Sequence, residues 1–155
     1  MNTKFAKFEG DFPKAWMKFS GAAAEWLDAY HVVYENNGSG DTWGVFYVKL
    51  TILALALEMF AKSLAAHEDA AFNGMKFRHN TSKVIFNYRE TIKLFKKISD
   101  NRELMRIICE YEKTVDVKYG GMGVNIDGDE EKMLLDVIYE IRAEMYARTN
   151  VNYLR

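Results

Sequence analysis

Residues 42–67, TWGVFYVKLTILALALEMFAKSLAAH, decide the fold. Val45, Phe46, Val48, Ile52, Leu53, Leu55, Leu57, Phe60 and Leu64 encircle most of a helix wheel instead of forming one stripe. A helix that is apolar nearly all round belongs at the centre of an assembly of other helices. The uncharged part of the run, Leu50 to Leu57, is bounded by Lys49 and Glu58 and is too short to cross about 30 Å of hydrocarbon. The run therefore reads as a buried central helix and not as a membrane span.

The flanking sequence supplies the partners. A first helix is expected from Asp11, as N-cap, with Pro13 in its first turn, to about Tyr34. Its apolar residues Trp16, Phe19, Ala23, Trp26, Leu27, Tyr30 and Val33 step by three and four. NNGSGD, residues 36–41, is then a loop, and residues 68–80 around Gly74 make a connection. Val84, Ile85, Tyr88, Ile92, Phe95 and Ile98 give a third helix one stripe. Asp100 with Glu103 reads as a capping box for a fourth, whose inner face is Leu104, Ile107, Ile108, Tyr111 and Val115 and which Gly120 stops. After the glycine-rich stretch 120–129, Asp127 or Asp129 caps a fifth helix carrying Leu134, Val137, Ile138, Ile141 and Met145 to about Arg148. One proline in 155 residues, and no segment with strand alternation, fit an all-α fold: a single domain, 1–155, built as an up-and-down bundle of about five helices.

Several chemistries are missing. A di-iron bundle needs paired Glu-x-x-His motifs, and the nearest match, Asp28-x-x-His31, reads as a polar helix face with Glu25 and Glu35. Gly120, Gly121 and Gly123 lack the lysine and hydroxyl of a phosphate loop. NIDGDEE lacks the spacing of a twelve-residue calcium loop and reads as acids capping a helix N-terminus. The lone Cys109 allows no intrachain disulfide, belongs to no zinc spacing and is expected to be a buried inert thiol. No cofactor or metal is expected. The opening residues MNTKFAKFEGDF have no apolar core of a signal peptide, so a cytoplasmic protein without membrane contact is expected.

A formal net charge of -1 advertises no polyanionic partner, but the charge is unevenly spread. Between Lys76 and Arg102 eight basic residues face only Glu90 and Asp100, a local +6. Between Asp127 and Glu144 seven acids face Lys132 and Arg142, a local -5. On one continuous helix Arg89, Lys93, Lys96 and Lys97 share a face. Such a stripe can track phosphates, although no aromatic residues interleave for base stacking. It can also be a solvated face, or a surface turned to the acidic helix of its own or another subunit.

The runs LALALEMFAKSLAAH, Leu53 to His67, and KFRHNTSKVIFNY, Lys76 to Tyr88, resemble the central part of HEPN-domain proteins. In that superfamily an apolar helix carrying Glu and Lys one turn apart, here Glu58 and Lys62, precedes a Gly-His-Asp/Asn-Leu turn that opens the next helix. His79-Asn80 matches the turn, with Arg78 where glycine is common and Thr81 where leucine is common. The end of the chain, YARTNVNYLR, resembles the arginine- and tyrosine-bearing end of the last helix. About a third of the chain is covered. The resemblance implies one of two functions. Many members are metal-independent ribonucleases that use Arg-x4-6-His, whereas here no histidine follows an arginine at that spacing, and Tyr153 is a poor substitute base. Other members are non-catalytic modules that dimerise and bind a nucleotide, a nucleic acid or a partner protein. That second function is the expectation here, as a homodimer, with Arg78, His79, Asn80, Arg89, Lys93, Lys97, Arg148 and Tyr153 as ligand-binding candidates and no catalytic residue assigned. Local roles are the competing reading: His79 as a helix cap and Arg148 as a partner of Glu144.

Overall fold

The computed structural model describes residues 14–37, 43–115 and 127–151. All regular structure in them is helical: α1 (Ala15–Asn37), α2 (Trp43–Glu68), α3 (Gly74–Phe77), α4 (Thr81–Tyr88), α5 (Lys93–Asp100), α6 (Arg102–Val115) and α7 (Gly128–Thr149). The expected start at Asp11 and Pro13, the stop at Gly120 and the side chains of Val45 and Phe46 lie outside the described residues or side chains. Among the described residues no helix is long and apolar enough to cross a membrane.

The central helix stands where its apolar circumference demands. Leu53, Ala54, Ala56, Leu57, Phe60, Ala61, Leu64 and Ala65 are buried, and α2 packs against α1, α4, α6 and α7. The faces expected of the last two helices are also in place, with Leu104, Ile107, Ile108 and Tyr111 buried on α6 and Leu134, Val137, Ile138, Ile141 and Met145 on α7. Trp26 on α1 and Val48 at the start of α2 depart from this pattern and are exposed, although both were expected on apolar faces.

Pairwise contacts fix helix directions. Trp16 meets His67, Ser20 meets Ser63 and Tyr34 meets Lys49, so α1 and α2 run antiparallel. Lys49 reaches Glu131, Ser63 reaches Met145 and Glu68 reaches Arg148, so α2 and α7 run parallel. Strict alternation of five helices would set the second and fifth antiparallel, and the expectation of an up-and-down bundle is corrected accordingly. The expected third helix is also two short ones, α4 and α5. At the break, Thr91 and Ile92 N–H both turn back to the Tyr88 carbonyl, joined by the Thr91 hydroxyl, and Ile92 leaves with extended φ and ψ of -110° and 105°. Ile92 is fully buried there, while Tyr88 is anchored to Asp69 by its hydroxyl at 2.8 Å.

Two caps repay comparison with the sequence. Asp127 caps α7 in a reciprocal capping box with Glu130, as its acidic spacing suggested. At α6 the cap is Asn101, whose side chain accepts from Leu104 N–H at 3.0 Å. Asp100 instead ends α5 and pairs with Lys96, and Glu103 pairs with Arg106. Gly74 allows a close approach of α1: a Cβ there would lie 2.6 Å from the tip of the Phe19 ring, which would have to move.

One end of the core is polar. Tyr30 donates to Glu131, which also faces the buried Lys49, and near them the buried Tyr111 hydroxyl has no hydrogen-bond partner. Burial and the adjacent Glu131 push the Tyr111 phenol far above its usual range. Phe60→Ala should therefore cost about 3–5 kcal/mol in a denaturant titration, the range for an aromatic removed from a close-packed core. Tyr111→Phe, which removes only an unpartnered hydroxyl, should cost less than about 0.5 kcal/mol or stabilise the fold. A large loss for Tyr111→Phe would mean that the hydroxyl has a partner in solution.

Candidate functional site

The site follows from a conflict within α2. Glu58 and Lys62 interrupt its apolar circumference, and both are buried, at 2% and 5% exposure. An ion at such a position must be paired and fully hydrogen-bonded or it is strongly destabilising. Helical spacing supplies the first partner, since Lys62 Nζ donates to Glu58 Oε1 at 2.6 Å one turn away. The turn between α3 and α4 supplies the rest. Lys62 Nζ also donates to the Arg78 carbonyl at 2.5 Å, and His79 Nδ1 lies 3.0 Å from Glu58 Oε2.

The turn has the geometry this clamp requires. Asn80 N–H donates to the Phe77 carbonyl at 2.9 Å, closing a four-residue turn with Arg78 and His79 at its centre. Arg78 adopts φ 46° and ψ -122°, a conformation in which glycine is at ease and a residue with a Cβ is strained. The strain is held in place by the Lys62 bond to the Arg78 carbonyl.

His79 does not cap the following helix, and Asn80, which holds the N-cap position, makes no side-chain capping bond. Glu112 of α6 performs that role from a distance, accepting the Ser82 N–H and, at 3.0 Å, the Ser82 hydroxyl. Burial raises the Glu112 carboxyl above the usual carboxylate range, opposed by the Ser82 bonds. No local pattern marks Glu112, because its partner is thirty residues earlier. Glu58, His79, Thr81, Tyr111 and Glu112 line one small depression between α2, α4 and α6. Chemically, Glu58 holds one nitrogen of His79 while the imidazole remains 56% exposed.

The remaining expected residues scatter. Arg148 bridges Glu144 at 2.8 Å and Glu68 at 2.7 Å, so the expected Glu144 pairing holds with a second partner added. Glu68 lies ten residues beyond Glu58 on α2, about 15 Å along the axis, so one chain does not bring Arg148 and His79 together. Arg89 sits after α4, pairing with Glu90 and lying over Phe86, while Lys93 begins α5. The break between those helices undoes the continuous stripe of Arg89, Lys93, Lys96 and Lys97. Lys97 reaches Glu140 of α7 at 2.8 Å, so at that point the basic segment faces the acidic helix of its own chain. Tyr153 lies outside the described residues.

Cys109 is exposed, contrary to the burial expected from its place beside Ile108, because it stands one step round the helix from the inner face. Partial burial of the sulfur and the nearby Glu112 raise its thiol pKa, which keeps it a weak nucleophile. Among the described residues no group of three or more His, Cys, Asp or Glu side chains gathers as a metal centre. Comparison with protein-family models, with curated proteins and with solved structures finds no match for the chain.

The clamp has opposite consequences for its two kinds of residue. Lys62→Met, which leaves Glu58 buried without its cation, should lower stability by about 3–5 kcal/mol. Arg78→Gly, which relieves the backbone while keeping the carbonyl that Lys62 uses, should raise stability by about 1 kcal/mol. Urea midpoints of both variants check the pair, and a destabilising Arg78→Gly would show that the arginine side chain, and not its backbone, matters to the fold.

Proposed function

We propose that this chain is a non-catalytic HEPN-like helical module that pairs as a homodimer and binds an anionic ligand, a nucleotide or nucleic acid ahead of a partner protein, through the Lys76–Arg102 region. The observation that carries the reading is the state of the cations there. Arg89, Lys96 and Lys97 are engaged with acids. Among the described residues the side chains of Lys76, Arg78, Lys83, Lys93 and Arg102 make no ion pair, and all are exposed. Exposed cations without partners attract phosphate by releasing its condensed counterions. The Glu58, Lys62 and His79 clamp supports the HEPN-like reading, because it puts the three matching residues of two separate sequence runs into direct contact. Homodimerisation is supported by the apolar residues left exposed on α1 and α7, including Trp26, Val32, Tyr34, Tyr139 and Tyr146.

One observation favours the second reading, a metal-independent ribonuclease with a variant site. A buried carboxylate holding one imidazole nitrogen, with the ring otherwise exposed, is the arrangement that positions a histidine for proton transfer. Against it stands the position of Arg148, turned to Glu144 on its own helix and to Glu68 at the far end of α2.

Incubation with mixed RNA substrates separates the two. The expected result is no cleavage, together with binding that weakens as salt rises and weakens further in Lys93→Glu plus Lys97→Glu. Cleavage lost in His79→Ala would establish the ribonuclease instead. Sedimentation at tens of micromolar should give twice the 18.0 kDa chain mass, and a monomer there would remove the homodimer from the proposal.

A further inference from the structure

Beside α3, with a lining that does not include His79, lies an open groove of about 530 Å³ bordered by Asp69, Ala71, Asn73, Lys76, Phe77, Asn87 and Tyr88. Its size falls within the span of small-molecule sites, roughly 300–1,000 Å³. The groove is assembled by contacts already described. The clamp on the Arg78 carbonyl fixes the end of α3, and the Tyr88 to Asp69 hydrogen bond ties α4 to the end of α2. Phe77 stacks on Phe72 at 5.4 Å between ring centroids, and Phe72 meets Tyr88 edge-on at 5.7 Å, so the apolar floor is rigid.

The polar groups on this floor divide into those that are used and those that are open. Asp69 Oδ1 accepts the Ala71 N–H at 2.9 Å, and Oδ2 accepts the Tyr88 hydroxyl. Burial and that bond push the Tyr88 phenol up to about 12, so it stays the donor of this pair, and a carboxylate that accepts two hydrogen bonds has further lone pairs. Asn73 Oδ1 caps α3 through the Met75 N–H at 3.1 Å, which leaves its amide donors open. Lys76 and Asn87 make no side-chain hydrogen bond among the described residues. The open groups are therefore one ammonium, amide donors on two sides and one carboxylate edge, over an aromatic floor. Lys83 stands one turn before Asn87 on α4 and adds positive charge at the rim.

We infer that this groove binds a phosphorylated sugar, free or as part of a nucleotide, with the phosphate on Lys76, hydroxyl groups donating to Asp69, and remaining acceptors on the Asn73 and Asn87 amides. A bare anion could take Lys76 and the amide donors, but it would be repelled by Asp69 and leave that acceptor edge unused. A neutral sugar could hydrogen-bond to these groups, but it would leave the charge of the ammonium unmatched. A molecule with both an anionic end and a hydroxylated body matches every open group. The inference deepens the anion-binding proposal and rests on it for the class of ligand, but it uses different residues from the Lys93 and Lys97 contacts.

The test titrates the full chain with ribose 5-phosphate, with AMP, with ribose and with inorganic phosphate, followed by amide chemical shifts. Ribose 5-phosphate or AMP should bind at least about tenfold more tightly than either ribose or phosphate alone, with shifts centred on residues 69–77 and 87–88. AMP binding tighter than ribose 5-phosphate would identify the nucleotide as the source, and equal binding the free sugar phosphate. Lys76→Ala and Asn87→Ala change exposed side chains that make no hydrogen bond within the fold. Each should weaken binding by about tenfold or more at unchanged melting temperature. Absence of binding at millimolar concentration, equal affinity for inorganic phosphate, or indifference to both groove variants would overturn the inference. If RNA binding sensitive to Lys93 and Lys97 persisted in that case, the anion-binding module would stand without this groove.

Discussion

A carboxylate sealed into the middle of an apolar helix constrains everything around it. Glu58 lies within the most hydrophobic stretch of the chain, and its charge must be met by groups that can reach it without water. One comes from its own helix, Lys62, and the other from a turn twenty-one residues later, His79. The ammonium then has donors left over and takes the carbonyl of Arg78, which forces that residue into a glycine-like conformation. A single buried ion pair thus determines where α3 ends, where α4 begins and which way the exposed imidazole faces. Replacing such a pair by apolar residues often costs little stability, so its value here lies in specifying one position for the turn.

The same turn divides two surfaces. Towards α6 it presents His79 beside Glu58 and Glu112, and towards α2 it presents Lys76 over the groove of Asp69, Asn73 and Asn87. Both surfaces border the segment in which cations outnumber acids. The chain also contains a brake on that charge, because α7 runs parallel to α2 and brings Glu140 to Lys97. The unpaired cations are then those nearest the turn and at the starts of α5 and α6.

How much was legible in advance depended on whether a signal was local. The helical spacing of Leu134, Val137, Ile138, Ile141 and Met145 is a property of one helix, and so is the capping box of Asp127 with Glu130; both could be read directly. The break after Arg89 has no glycine or proline to announce it. It depends on Ile92 finding the core and on Tyr88 being held by Asp69, contacts that sequence spacing does not contain. The parallel course of α2 and α7 is likewise a property of long-range pairs, Lys49 with Glu131 and Glu68 with Arg148, that no local spacing contains. Cys109 and Trp26 show a related limit: a residue at the margin of an apolar stripe is covered only if a neighbouring helix lies over it.

For the site, it was the resemblance of two sequence runs to HEPN-domain proteins that drew attention to Glu58, Lys62, Arg78 and His79, and of these only Arg78 and His79 were expected to meet a ligand. Their convergence on one carboxylate was a tertiary matter, as were Glu112 capping α4 from another helix and the turning away of Arg148 towards Glu68 and Glu144. An all-helical chain centred on residues 42–67 was legible from the residues alone, since hydrophobic periodicity acts within each helix. Helix direction, the partners of each charge and the groove emerge on folding, because they depend on which distant side chains meet once water is excluded from between them.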